Sequence, residues 1–176
     1  MSDAKGTGAT GHKLTVEHGA MATCRKAGHF RLWVERDGET IQDTGLIENG
    51  YPISGMVATA ARMAAIDATA AFDYLEVGTD ATAFADTQTA LIAAIVDSGL
   101  ARAQDGTPTA TTTTETNDTM VINVSWSVTG TKTIAEIGCF NAATDGTMIG
   151  RSVVSPTVGV VNGDTLNGEY TVAFGV

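Results

Sequence analysis

The chain has 176 residues, enough for one domain with a sizeable core, or one domain and an arm. Its formal net charge is −10 with a pI near 4.5, and only 10 residues are Lys or Arg, which excludes a basic face able to displace counterions from nucleic acid. Hydrophobic residues make up 43% and charged ones 17%, with a mean hydropathy of +0.08, so charge is sparse and the surface suits a protein partly covered by neighbours.

No apolar run approaches the roughly 20 residues of a membrane helix. The opening MSDAKGTGATGHK has no apolar h-region, so no secretory signal is expected and the chain is expected to be made in the cytoplasm. Residues 1–19 show no sustained periodicity, and the reading is an extended, flexible N-terminal arm over 1–27. Gly6, Gly8 and Gly11 match G-x-G-x-x-G only by letter, because no buried strand precedes them. His12 and His18 lie in the arm, and with His29 they fit no zinc spacing. Cys24 and Cys139 are the only cysteines. In the cytoplasm both are expected to stay reduced, with Cys139 acting as a small buried hydrophobe; in a protein working outside a cell they are a possible disulfide, within or between chains.

From Gly28 the hydrophobic period becomes two. Phe30, Leu32 and Val34 share one face of a strand, and Arg31, Trp33 and Glu35 the other. Asp37-Gly38 then marks a hairpin turn. NGYPISG at 49–55 breaks the strand, and the Ala-rich run Met56 to Phe72 is read as a short helix. Tyr74 to Val77 reads as a strand. Asp86 is expected to cap a second helix through TQTALIAAIVDSG, with Ala90, Leu91, Ala94 and Ile95 as its apolar face and Gly99 as its stop. Thr-rich 103–118 reads as an exposed loop or irregular strand.

Alternation returns strongly in MVINVSWSV, with Met120, Ile122, Val124, Trp126 and Val128 on one face. A hairpin over Thr133–Arg151 follows, with Asp145-Gly146 as its turn, and the last strand alternates through Tyr170, Val172, Phe174 and Val176. The fold expected is mainly β (α+β): an antiparallel β-sandwich over 28–176 with two short helices and a flexible N-terminal arm.

Reactive chemistry is hard to find. Glu136 interrupts an apolar strand without a second carboxylate or base assignable nearby, so a structural hydrogen bond is favoured over catalysis. Asp80, Asp105, Asp118, Asp145 and Asp164 sit beside Gly, Thr or Asn, as turn residues do, and show no EF-hand spacing. There is no G-x-S-x-G elbow. The expectation is a chain that is not an enzyme and needs no cofactor and no metal.

FDYLEVGTDATAFADTQTALIAAI (72–95) resembles a pattern of tailed-bacteriophage virion structural proteins: an aromatic-led strand, V-G-T, an Asp cap, then T-x-L. IAEIGCFNAATDGTMIGRSVVSP (134–156) resembles its second half, an E-x-G-x-F-N strand, a D-G turn, a G-T-M strand and an Arg. VERDGETIQDTGLIENGYPISG resembles the N-terminal hairpin of the same proteins. The resemblance spans roughly 28–176 and implies a capsid decoration or tail accessory protein located in the virion, with no catalytic residues to carry over. It also implies structural roles for Gly138, Gly146 and Gly150, and a pair between Glu136 and Arg151, whose signs and hairpin positions suit one another. Expected partners are the chain itself, as a homo-oligomer and possible trimer, and the major capsid or tail proteins; nucleic acid and membrane are not. The arm is read as reaching across a neighbour. Arg25, Arg31, Trp33 and Tyr51 join His12 and His18 as candidate interaction residues. The alternative function is a receptor- or glycan-binding module of a tail fibre or tail tip, for which Trp33 and Tyr51 supply the aromatics.

Overall fold

The computed structural model describes residues 28–64 and 70–174. The arm, with His12, His18, Cys24 and Arg25, lies outside the described residues, as does Val176. In chain order the described elements are β1 (Gly28–Arg36), β2 (Glu39–Asp43), β3 (Ile47–Glu48), α1 (Ile53–Met63), β4 (Tyr74–Gly78), β5 (Ala103–Gln104), β6 (Thr109–Thr111), β7 (Thr119–Ser127), β8 (Lys132–Phe140), β9 (Met148–Val160) and β10 (Thr165–Ala173). The strands form two antiparallel sheets packed face to face, a β-sandwich. The larger sheet has the order β2-β1-β10-β7-β6, with β3 also paired to β1; the smaller has β5-β4-β8-β9.

Period-two patterning puts the core where the two sheets meet. Phe30, Leu32 and Val34 of β1, Ile122, Val124 and Trp126 of β7, and Leu166, Tyr170 and Val172 of β10 all point inward. Phe30 and Tyr170 are cross-strand partners whose rings stack with centroids 4.4 Å apart. Between β1 and β2 the central turn residues Asp37 and Gly38 both take positive φ (52° and 82°), as a primed hairpin turn requires. The inward alternation of β10 ends with Val172, because Phe174 lies past the strand and is exposed.

From Ile134 to Phe140, β8 is buried at every position instead of every second one. Its outer face is covered too: α1 packs on β9, and the segment 79–100 folds over the rest of the smaller sheet. Leu91, Phe140 and Met148 form a second, smaller core under that cover, with Tyr74 at its margin.

Two short helices were expected, and among the described residues one is found. α1 begins at Ile53, three residues earlier than the alanine run suggests, because Pro52 stands at the N-cap in extended backbone (φ −68°, ψ 155°) and Ile53 N, one of the donors a helix start leaves unpaired, donates to Asp86 O at 2.9 Å. It ends at Met63, well short of Phe72, which is buried. No helix forms behind Asp86; residues 86–99 run as turns, bends and one bridge, Gly78 to Ala94. The backbone groups a helix would pair internally are taken by the sheet. Thr79 N donates to Ala93 O and Ile95 N to Val77 O, both at 2.9 Å. Only Leu91 and Ile95 of the run, and Leu100 just after it, are buried, while Ala90 and Ala94 are exposed. Local propensity loses to tertiary hydrogen bonding here.

Candidate interaction faces and the supports beneath them

The sequence-predicted Glu136 and Arg151 meet inside the cover. Gly138 is the register partner of Arg151 and Val153 that of Glu136, so the two charged side chains sit diagonally across β8 and β9. Arg151 Nε and Nη2 donate to Glu136 Oε2 at 2.9 and 2.7 Å, and both side chains have no solvent exposure. Every remaining polar group of the pair is used. Glu136 Oε1 accepts from Ala93 N at 2.7 Å and Oε2 from Ile92 N at 3.1 Å. Arg151 Nη1 donates to Thr82 O and Gln88 Oε1, and Nη2 also reaches Thr82 O. A buried ion pair of this kind is costly to desolvate and strongly destabilising to halve. Its physical role is to nail the irregular 79–100 segment to the sheet. Gly78 is part of the fit, since a Cβ there would stand 2.5 Å from Glu136 Oε1 and 2.6 Å from Ala93 O.

The turn expected at Asp145-Gly146 proves to be a wider loop, open from Asn141 to Thr147. Asp145 and Gly146 do take positive φ (52° and 74°), but they do not set the loop alone. Thr147 N donates to Asn141 Oδ1 at 2.7 Å. Arg102 Nη1 donates to Ala142 O and Asp145 O at 3.0 and 2.8 Å, its Nη2 holds Glu76 at 2.9 Å, and its guanidinium lies 3.7 Å over the Phe140 ring. Arg102 was not singled out from sequence. Its partners lie 26 to 43 residues away, and no local pattern announces them. Gly138 lies under Leu91, whose Cδ2 would be 2.9 Å from a Cβ.

Arg31 and Trp33 stand on the outer face of the larger sheet. Arg31 forms a two-pronged pair with Asp43 on β2 and lies 5.2 Å from the Trp33 ring centroid. That contact holds the Asp43 carboxyl down at about 2. Trp33 Nε1 donates to Glu35 Oε1 at 3.1 Å. Beyond them, the floor of β1, β10 and β7 and the walls of β6 and the β2–β3 connection enclose a groove of about 790 Å³. Tyr51 is half-buried and belongs to another region, its hydroxyl 2.5 Å from Thr59 Oγ1 on α1. Cys139 is a free thiol with no exposure, and burial pushes its pKa well up. Its possible disulfide partner Cys24 lies outside the described residues.

The acidic turn positions bind their own backbone. Asp80 accepts from Thr82 N and Asp105 from Thr107 N, at 2.6 and 2.8 Å. Asp118 gathers Thr113, Thr114 and Glu115 N–H groups at 2.8 to 2.9 Å, which drives its pKa far below the usual carboxylate range. Asp164 takes Val161 N and is gripped by Arg36 at 2.7 and 2.9 Å. Among the described residues, no group of three His, Cys, Asp or Glu side chains comes together to hold a metal ion, and no helix is long and apolar enough to cross a membrane.

α1 has the most unusual surface. Gly55 and Ala58 face inward, and a Cβ on Gly55 would meet the backbone of Ile149 and Met148 at 2.8 Å. On the opposite side Ile53, Val57, Ala60 and Ala64 recur at helical spacing and are all exposed, Val57 by 64%, with Met63 beside them at 81%. The only charge in α1 is Arg62. A helix apolar on both sides is normally covered on both.

No family model, no curated protein and no solved structure matches this chain.

Proposed function

We propose that the chain is a non-enzymatic structural protein of a tailed-bacteriophage virion, decorating or stabilising the capsid or tail surface by packing against copies of itself and against major capsid or tail proteins. The observation that carries this reading is the outward stripe of α1. Exposed apolar surface that is contiguous and free of charge marks a place where another protein sits. The helix is held rigid from below by Gly55 on β9 and by the Asp86 carbonyl at its start, so the stripe is presented in one fixed orientation. The sequence resemblance over 28–176 supplies the kind of assembly, and the N-terminal arm a second attachment.

The deciding experiment is the copy number of the chain in purified particles, by quantitative mass spectrometry against the major capsid protein. A ratio near the capsid lattice count is expected for decoration. A handful of copies, matching tail symmetry, moves the protein to the tail and favours the receptor- or glycan-binding alternative. Absence from the particle sinks both.

A further inference from the structure

We propose that, in the free chain, residues 1–27 dock on their own domain, in the groove on the outer face of the larger sheet. The inference does not depend on the virion reading. It rests on where the groove lies, on how charge is divided along the chain, and on reach.

The groove sits at the end of the sheet where the chain enters it. His29, the second residue of β1, forms part of its floor together with Thr171 and Glu169 of β10 and Val121 of β7. The walls are Leu46 of the β2–β3 connection and the threonines of β6 and of the loop that follows it. Whatever precedes Gly28 therefore leaves the sheet beside the groove's mouth. Threonine methyls, Leu46 and Val121 give the groove carbon surface that Leu14, Val16 and Met21 of the N-terminal segment are suited to cover.

Charge divides sharply at the same point. Residues 1–27 carry Lys5, Lys13, Arg25 and Lys26 against Asp3 and Glu17, a net of +2, so the remaining chain carries −12 of the total −10. Within the domain, Arg31, Arg36, Arg102, Lys132 and Arg151 are already held by Asp43, Asp164, Glu76, Asp97 and Glu136. Among the described residues, no Lys or Arg lines the groove. Glu169 stands in its floor, across the strand from Arg31, which Asp43 holds in a two-pronged pair; Asp105 accepts from the floor residue Asn123 at 2.8 Å, and Asp118 from the wall residues Thr113 and Thr114 at 2.8 and 2.9 Å. A basic segment tethered at the rim of an acidic groove is the complementary occupant.

Reach is ample. Crossing from β1 over β10 and β7 to β6 is three strand spacings, about 14 Å, whereas 27 extended residues span up to roughly 90 Å. The tether also holds the segment near its site at an effective concentration on the order of millimolar, which favours the chain's own domain over a neighbour's.

The test is zero-length carbodiimide coupling of the full chain, which joins a lysine amine to a carboxylate only when the two are in contact. Equal amounts of 15N-labelled and unlabelled protein are mixed before coupling, and the joined peptides are read by mass spectrometry. The expected result is coupling of Lys5, Lys13 or Lys26 to Glu169, Asp105 or Asp118, in peptide pairs of one isotope only. Raising NaCl to 1 M should reduce the yield roughly tenfold, because exposed ion pairs are screened at that strength. In Glu169→Gln, with the circular dichroism spectrum unchanged, coupling at that position is lost while the remaining links to Asp105 and Asp118 weaken. Links scattered evenly over acids remote from the groove, such as Glu39 and Asp97, would overturn the proposal. So would mixed-isotope pairs at the groove, which would give it to the arm of a second copy, or no coupling at all.

Discussion

At the scale of single residues, the strongest commitment the fold makes is Glu136 with Arg151. Opposite signs on one hairpin suggested a pair from sequence, and their diagonal contact on one face of β8 and β9 is of that kind. What sequence did not show was the remainder of the site, since Thr82, Gln88, Ile92 and Ala93 approach from 43 to 69 residues away. Those extra bonds make the two positions unequal. Removing Arg151 leaves a carboxylate still accepting from two N–H groups, whereas removing Glu136 leaves a buried guanidinium with only the neutral acceptors Thr82 O and Gln88 Oε1, and takes the partner from both amides as well. Arg151→Met is expected to cost about 3 kcal/mol and Glu136→Leu about 5 kcal/mol, read from urea unfolding midpoints. The double variant should lose clearly less than the sum, because neither charge is then left buried alone. Additive losses would mean that the two side chains contribute independently. Asp43, Asp118 and Asp164 make a pH prediction. All three have folded pKa values depressed below the unfolded value near 3.9, by Arg31, by the backbone N–H groups at 113–115 and by Arg36 respectively. Their contribution is complete above that unfolded value and is lost as pH falls through the folded ones. Denaturant midpoints should therefore stay level from pH 7 to about 5 and decline from about pH 4 towards 2, and Asp118→Asn should shallow the decline.

At the scale of elements, strands with one wet face were legible and the cover was not. β1, β7 and β10 announce themselves because period two survives wherever one side faces solvent. The run from Asp86 to Gly99 looked helical because Ala, Leu and Ile fall at suitable spacings, but its backbone is claimed by β4 and by the Glu136 carboxylate. No periodicity in the run itself reports a demand made from outside it. α1 was legible as a helix and misplaced at both ends, since the signal that starts it is Pro52 and not the alanines. Its seat on β9 depends on Gly55, where a side chain would strike main-chain atoms of Met148 and Ile149 that cannot rotate aside. Gly55→Val should lift the helix from β9 at a cost of about 1–3 kcal/mol. Hydrogen exchange locates the damage: amides of 53–63 are expected to lose protection while those of 134–139 keep theirs. Equal loss in both segments would show that α1 is not a separable cover.

For the whole molecule, the pairing of distant strands is what sequence leaves open, because alternation says which face is inward but not which strand lies alongside. β1 finds β10 from the far end of the chain, and β9 is left as the outer strand of the smaller sheet. With thirteen residues β9 is the longest of the described strands, and a long open edge is a template for pairing with another chain. Here it is occupied at two places, around Arg151 and around Thr157. Gly50 exchanges two backbone hydrogen bonds with Arg151, at 2.7 and 3.0 Å, and Ser152 Oγ donates to Glu48 O at 2.7 Å. Farther along, Gln42 of β2 reaches from the other sheet: its Nε2 donates to Thr157 O at 3.1 Å and its Oε1 accepts from Gly159 N at 3.3 Å. A carboxamide carries the same donor and acceptor as a peptide group, so Gln42 stands where one residue of a neighbouring strand would pair and also ties β2 to β9. The edges at β5 and β6 are only two and three residues long and offer far less to a partner. Gln42→Ala should therefore uncover the distal half of β9 without disturbing the core. The expected phenotype is a small change in melting temperature together with self-association that grows with protein concentration, followed by sedimentation velocity from micromolar to hundreds of micromolar. Gln42→Glu distinguishes edge pairing from mere loss of a side chain, since a carboxylate beside the Thr157 carbonyl repels both that oxygen and an incoming strand's. The Ala variant should associate and the Glu variant should stay dispersed. Sedimentation of Gln42→Ala unchanged from the wild type across that range would show that something other than Gln42 keeps the edge of β9 from pairing.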